Sequence, residues 1–180
     1  MKKTLKMMAF VLLALGMLAC DGSRKKLTLD DVRAAQSVLF NPDGSVNEQE
    51  APQVAEKYCQ FVKQNPNDTA MVKWLFHAME INVMLKDSDK SIEIGNQLLK
   101  QYPQSKWAPK TLLFLGSYVY NDQLNDTAQA HQAFQRLIDD YPESELVEAA
   151  QQSIEYLGLT PDEIFSLMML NQMTVEEEDE

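Results

Sequence analysis

Apolar residues recur along most of the chain at the spacing of an amphipathic helix, and prolines cut the pattern at near-constant intervals. Three segments can be laid over one another: EKYCQFVKQNP (56–66), EIGNQLLKQYP (93–103) and AFQRLIDDYP (133–142), with prolines 37 and 39 residues apart. Upstream of the last proline stand Ala130, Phe134, Leu137 and Ile138. The matching positions are Ser91, Gly95, Leu98 and Leu99 in the middle copy, and Val54, Tyr58, Phe61 and Val62 in the first. Each set is one stripe on a 3.6-residue helix. A small residue at the first position, Ser91 or Ala130, lets two helices approach closely. Proline lacks an N–H and pushes the residue before it out of the α region. It therefore ends one helix and can open the next, so the chain turns back as an antiparallel hairpin.

The same pattern predicts eight helices, over 29–40, 47–65, 68–85, 88–102, 105–121, 126–141, 143–157 and 161–173. Thr28 or Asp30 can cap the first, and Asn41-Pro42-Asp43-Gly44 is a strong turn with Asn47 as the cap that follows. Thr160-Pro161-Asp162-Glu163 forms a capping box with proline at the first helical position, and Gly158 suits the preceding C-cap. No stretch alternates like a strand for more than a few residues. A period of this length predicts an all-α array of stacked hairpins.

The stretch LLFLGSYVYNDQLNDTAQAHQAFQRLIDDYPESELVEAAQQSIEYLG, residues 112–158, resembles tetratricopeptide repeats. The marks are Gly116, Tyr118, Ala130, Phe134, Tyr141-Pro142 and the Glu-Ser-Glu-Leu after them. More narrowly, it is similar to the degenerate repeats of bacterial outer-membrane lipoproteins of the BamD/ComL type, and the likeness covers roughly residues 50–158. It implies a right-handed superhelical stack of about four hairpins over 28–158. Met79 stands where the repeat has a small residue and Gly95 where it has an aromatic. The linker Asn121–Asp126 is about two residues longer than a standard repeat.

The resemblance also implies a groove, lined by the first helices of successive hairpins, that meets a protein or peptide partner. Those helices here are unusually apolar, AMVKWLFHAMEINVML and TLLFLGSYVY. The faces left for a partner are Phe76, Glu80, Val83 and Leu113, Ser117, Tyr120, with Lys73 and Lys110 at equivalent places for a carboxylate. The alternative is that Phe76, Val83 and Leu113 simply pack. The helix at 159–173 is a second candidate, through Phe165, Met168 and Met169, because apolar residues cover most of its circumference. Either it folds back over its neighbour as a cap, or it offers an adaptable docking face. Residues 174–180 form an acidic tail.

The N-terminus is a separate object. MKKTLK is basic and MMAFVLLALGMLA is apolar for 13 residues, too short for an ordinary spanning helix of about 20. Residues 1–19 are expected to be a secretory signal peptide. Met17-Leu18-Ala19-Cys20 resembles the lipobox of bacterial lipoproteins, which implies cleavage before Cys20, its acylation, and a tether over 20–27. Simple cleavage after Ala19 is the alternative. Lipid chains would hold the N-terminus in a bilayer at about 0.8 kcal/mol per buried CH₂. If Cys20 is acylated, Cys59 is left alone, a small core residue on an apolar face.

Charge narrows the classes further. The chain carries −11. Loss of Lys2, Lys3 and Lys6 with the signal peptide takes the basic count from 16 to 13 against 27 acidic residues, a balance of −14. That excludes a nucleic-acid partner, which needs a basic face. No phosphate loop, HExxH, CxxC or G-x-S-x-G occurs, and the two histidines, His77 and His131, fall on different hairpins. No catalytic residue, metal or cofactor is expected. Asp68-Thr69-Ala70 and Asp126-Thr127-Ala128 resemble the triplet O-glycosylated on exported proteins of Bacteroidetes, which would place sugars on Thr69 and Thr127. Helix capping by the aspartates accounts for them equally. The expected protein is a non-catalytic scaffold of the bacterial cell envelope, lipid-anchored to the outer membrane and facing the periplasm. Its partner would be another envelope protein. Alternatives are a BamD-like accessory subunit of outer-membrane protein assembly and a non-enzymatic subunit of a cell-wall enzyme complex.

Overall fold

The computed structural model describes the backbone of residues 26–178, and side-chain surroundings as far as Leu170. The expected signal peptide, Cys20 and most of the expected tether lie outside the described residues. Within them are eight α-helices: α1 (Leu29–Gln36), α2 (Ala51–Gln64), α3 (Lys73–Met84), α4 (Ser88–Gln101), α5 (Trp107–Phe114), α6 (Thr127–Asp140), α7 (Val147–Tyr156) and α8 (Pro161–Glu178). A 3₁₀ turn, Thr69–Met71, precedes α3, and α5 continues without a break into a π-helical segment, Leu115–Gln123. No strand occurs among the described residues, only an isolated bridge between Phe40 and Val46.

From α1 to α7 each helix packs on the next in chain order, so the fold is an all-α stack of hairpins. The three proline corners are built alike. Asn65, Tyr102 and Tyr141 end α2, α4 and α6 with φ/ψ of −131/55°, −133/52° and −134/55°. Each precedes a proline, and that neighbour bars the α conformation that would prolong the helix. The opposite corners repeat as well. Asp87 and Asp126 accept from the backbone N–H groups of Lys90 and Gln129, at 3.0 and 2.9 Å, and so start α4 and α6. Tyr141 spans two corners, its phenol donating to the Pro103 carbonyl at 2.9 Å.

One core runs through the stack, from Val32 and Leu39 through Val54, Tyr58, Leu75 and Met79 to Leu98, Leu115, Phe134 and Leu137, ending at Ala150. Ser91 and Ala130 are fully buried, as the close approach of helices requires. Gly95 and Met79 face each other: a Cβ on Gly95 would come within 3.1 Å of the Met79 sulfur. In the next hairpin Gly116 faces the Phe134 ring. The large and small partners have changed helices, which is why Met79 and Gly95 depart from the repeat together.

Helix bounds differ from the sequence pattern in several places: α2 begins at Ala51 rather than 47, with no side-chain cap, and α7 at Val147 rather than 143. α1 ends at Gln36 rather than 40, where the chain enters the Asn41–Gly44 turn (Gly44 N–H to Asn41 carbonyl, 2.9 Å). The extra linker length predicted at 121–126 is taken up inside the helix, as the wide turns of the π segment. That segment closes with Asp126 N–H bonded to the Tyr120 carbonyl and Asn125 at φ 51°. The last helix runs to Glu178 rather than 173, since glutamate is a good helix former and neither Gly nor Pro interrupts it.

Candidate functional site

α3 and α5 lie side by side as the first helices of consecutive hairpins, and their shared face carries a row of rings. Phe76 is the hub, 5.0 Å from Trp107, 5.5 Å from Phe114 and 6.1 Å from His77 between centroids. His77 also meets Trp107 and Trp74, each at 5.8 Å, while Trp74 rests on Tyr58 of α2 at 4.8 Å. Tyr118 extends the row from Phe114 at 4.6 Å. Offset and edge arrangements at these distances are the favourable ones for aromatic pairs.

The row is solvated along one stripe. Lys73, His77, Glu80 and Met84 of α3 are half-buried or exposed, as are Trp107, Lys110, Phe114 and Tyr118 of α5 and the π segment. Spacings of three and four residues put each set on one helix face. Lysines lie over the indoles: Lys73 Nζ is 4.9 Å from the Trp74 ring, and Lys110 and Lys106 are 5.5 and 6.0 Å from Trp107. Cation–π pairs of this kind hold the ammonium groups at the surface beside apolar rings. His77 Nδ1 and Glu80 Oε2 stand 2.6 Å apart. Next to this face opens a cleft of about 740 Å³ lined by Thr69, Lys73, Tyr102, Lys106 and Trp107. One repeat further, a 640 Å³ cleft is lined by Lys106 and Lys110 together with Asp140, Tyr141, Glu143 and Glu145, so its lysines already face carboxylates. The first cleft, with Lys73 and Lys106 and no acidic residue in its lining, can therefore hold an extended segment with apolar and acidic side chains.

The sequence-predicted groove residues divide. Lys73, Glu80 and Lys110 lie on the solvated stripe. Phe76 is 7 % exposed and supports the row from beneath. Val83 and Leu113 are half-buried against the core. Ser117 lines a different cleft, with Asn121, Tyr156 and Ile164. Tyr120 faces Asn96, Gln129 and Arg136 across the other side of the stack, where burial and Asp126 raise its phenol pKa. The predicted sets 76/80/83 and 113/117/120 run along the neighbouring face of each helix, about one residue out of register with the solvated stripe 73/77/80/84 and 107/110/114/118. His77, Trp107, Phe114 and Tyr118 were missed. The last three had a signal in their spacing of seven and four residues.

At the C-terminal end, Phe165 is 65 % exposed, and Met168, Met169 and Leu170 are also open to solvent. Over its described side chains, residues 161–170, α8 makes no more than marginal contact with any other described helix. It does not fold back over α7, although its capping box is formed, with Thr160 N–H bonded to Glu163 Oε2 at 2.8 Å and Glu163 N–H to Thr160 Oγ1 at 3.3 Å. Thr69 and Thr127 are exposed, and both preceding aspartates cap: Asp68 accepts from Ala70 N–H at 3.0 Å and Asp126 from Gln129. Cys59 is half-buried, and burial, with Glu56 and Glu93 adding, pushes its thiol up to about 11. Such a thiol is almost wholly protonated at neutral pH and unreactive. No described helix is long and apolar enough to cross a membrane.

No curated protein matches the chain. A family model, the tetratricopeptide repeat, matches residues 112–144. That stretch is the π-widened helix, α6 and the Tyr141-Pro142 corner, so the chain contains a tetratricopeptide repeat.

Proposed function

We propose that the protein is a non-catalytic scaffold, held to a bacterial envelope membrane by lipid on Cys20, that captures an acidic, partly apolar segment of another envelope protein on the α3/α5 face. The aromatic row edged by Lys73, Lys106 and Lys110 carries this reading. In a chain of net charge −11, lysines gathered around solvated rings fit a ligand of opposite charge. Rigid rings placed in advance by the stack suit a few anchor contacts.

The test is a crosslinked pull-down from native envelope, comparing wild type with Lys110→Glu/Tyr118→Ala. Both positions are solvent-facing, so the fold is retained. A partner lost with the double variant supports the reading; a partner set unchanged by it overturns the assignment of this face. Recovery of a barrel-forming subunit would favour the BamD-like accessory role, and recovery of a peptidoglycan enzyme the cell-wall complex. Cys20→Ala should release the protein from membranes. The O-glycan on Thr69 and Thr127 is tested by the intact mass of protein from its host.

A further inference from the structure

The stack has two long edges, and their charges differ. One edge holds the proline corners, where α2 and α4 end and α3 and α5 begin. Its exposed cations are Lys26, Lys63, Lys100 and Lys106. Lys63 and Lys100 sit in the last turns of α2 and α4, and Lys106 directly precedes α5. The acids at this end are engaged locally: Asp30 pairs with Arg33 at 3.3 Å, Asp31 closes the Thr28 cap, and Asp68 caps the 3₁₀ turn. On the opposite edge Lys86 and Lys90 are accompanied by Asp87, Asp89, Asp122 and Asp126.

The chain also leaves by the basic edge. Leu27 N–H donates to Gln64 Oε1 at 2.7 Å, pinning the start of the described chain beside the last residue of α2. From there the sequence runs back through Lys26, Lys25 and Arg24 to Cys20. Seven residues span at most about 25 Å, so a lipid on Cys20 would keep this edge close to the bilayer.

We infer that the proline-corner edge from α2 to α5 lies against an anionic phospholipid surface, which orients the stack on its anchor. This rests on the lipid-anchor reading for proximity and on the edge's own charge for orientation. Exposed lysines near an anionic surface attract it within about a Debye length, roughly 10 Å. The attraction stops at the next corner, where Asp140, Glu143 and Glu145 share a cleft with Lys106 and Lys110 and Arg136 is paired with Asp140 at 3.0 Å, so Lys63 and Lys100 carry most of the pull. That corner is held off the surface.

The test uses the full chain, purified from envelope with its native N-terminus. It is mixed with vesicles of phosphatidylcholine alone or with added phosphatidylglycerol. Flotation reports the anchor, and lysine acetylation read by mass spectrometry reports the edge. The expected result is flotation with both vesicles, and roughly threefold or greater protection of Lys63, Lys100 and Lys106 on anionic vesicles alone, lost in high salt. Lys86 and Lys90 should label equally on both. Flotation with equal labelling of both edges overturns the inference and leaves the anchor standing. Flotation and edge protection on anionic vesicles only would uphold the edge and overturn the anchor. Flotation with neither overturns both. Protection that appears in native envelope but not on pure lipid means that a protein covers the edge, and the inference fails. Lys63→Gln/Lys100→Gln/Lys106→Gln should float as wild type does, with labelling of Lys26 no longer sensitive to lipid charge.

Discussion

Gly116 sits against the ring of Phe134, which is 1 % exposed and enclosed by core on every side. A methyl group there would need space that the ring already fills. Gly116→Ala should therefore destabilise the fold by about 1–3 kcal/mol, the usual cost of overpacking, measured by denaturant unfolding. Phe134→Leu added to it should recover part of the loss, because the clash is with the ring and not with backbone. Gly95 differs, since its nearest neighbours are the flexible ends of Leu115 and Met79. An alanine there should cost less. The glycine of each pair was readable as a residue, but its partner was not. Met79 and Gly95 each depart from the repeat in the sequence, and only their contact shows that one departure fills the space left by the other.

The π segment stores its surplus length within a helix and ends in a specific bond pattern. Gln123 Nε2 donates to the Val83 carbonyl at 2.8 Å, and Gln123 Oε1 accepts from the Ser88 hydroxyl at 2.7 Å. One side chain thus ties the end of the widened helix to the end of α3 and the start of α4. Gln123→Ala should cost about 1–2 kcal/mol by removing both bonds, with hydrogen exchange in the Leu85–Asp87 turn rising before that of the core. Elements stopped by local chemistry were legible in the sequence: the proline corners, the aspartate caps and the Thr160 box all depend on residues within one turn. What depends on long-range contact was not. Which face of α3 and α5 is left open to solvent follows from packing against neighbouring hairpins. Of the residues that helical spacing proposed for a groove, Lys73, Glu80 and Lys110 lie on the solvated stripe, while Phe76, Val83 and Leu113 pack towards the core.

At the scale of the whole molecule, each hairpin leans on its neighbours alone, so stability is close to a sum of units and seams. The described part of α8, residues 161–170, adds little to that sum. A chain truncated after Gly158 should lose helical signal while its melting temperature stays within roughly 2 °C of wild type, because no core contact is removed. A fall of many degrees would show that α8 packs on the stack in solution. Its apolar circumference gave no hint of this isolation, since hydrophobic coverage states a need for contact without saying whether the same chain supplies it. The matched backbone at Asn65, Tyr102 and Tyr141 has a consequence for how such a molecule can change size. Cuts made at these bends would release interchangeable modules, each carrying its own internal lock of one bulky and one vacant position. Duplicating such a module would lengthen the rod and leave every existing joint as it was, whereas a cut through mid-coil would part the lock and spoil two joints at once.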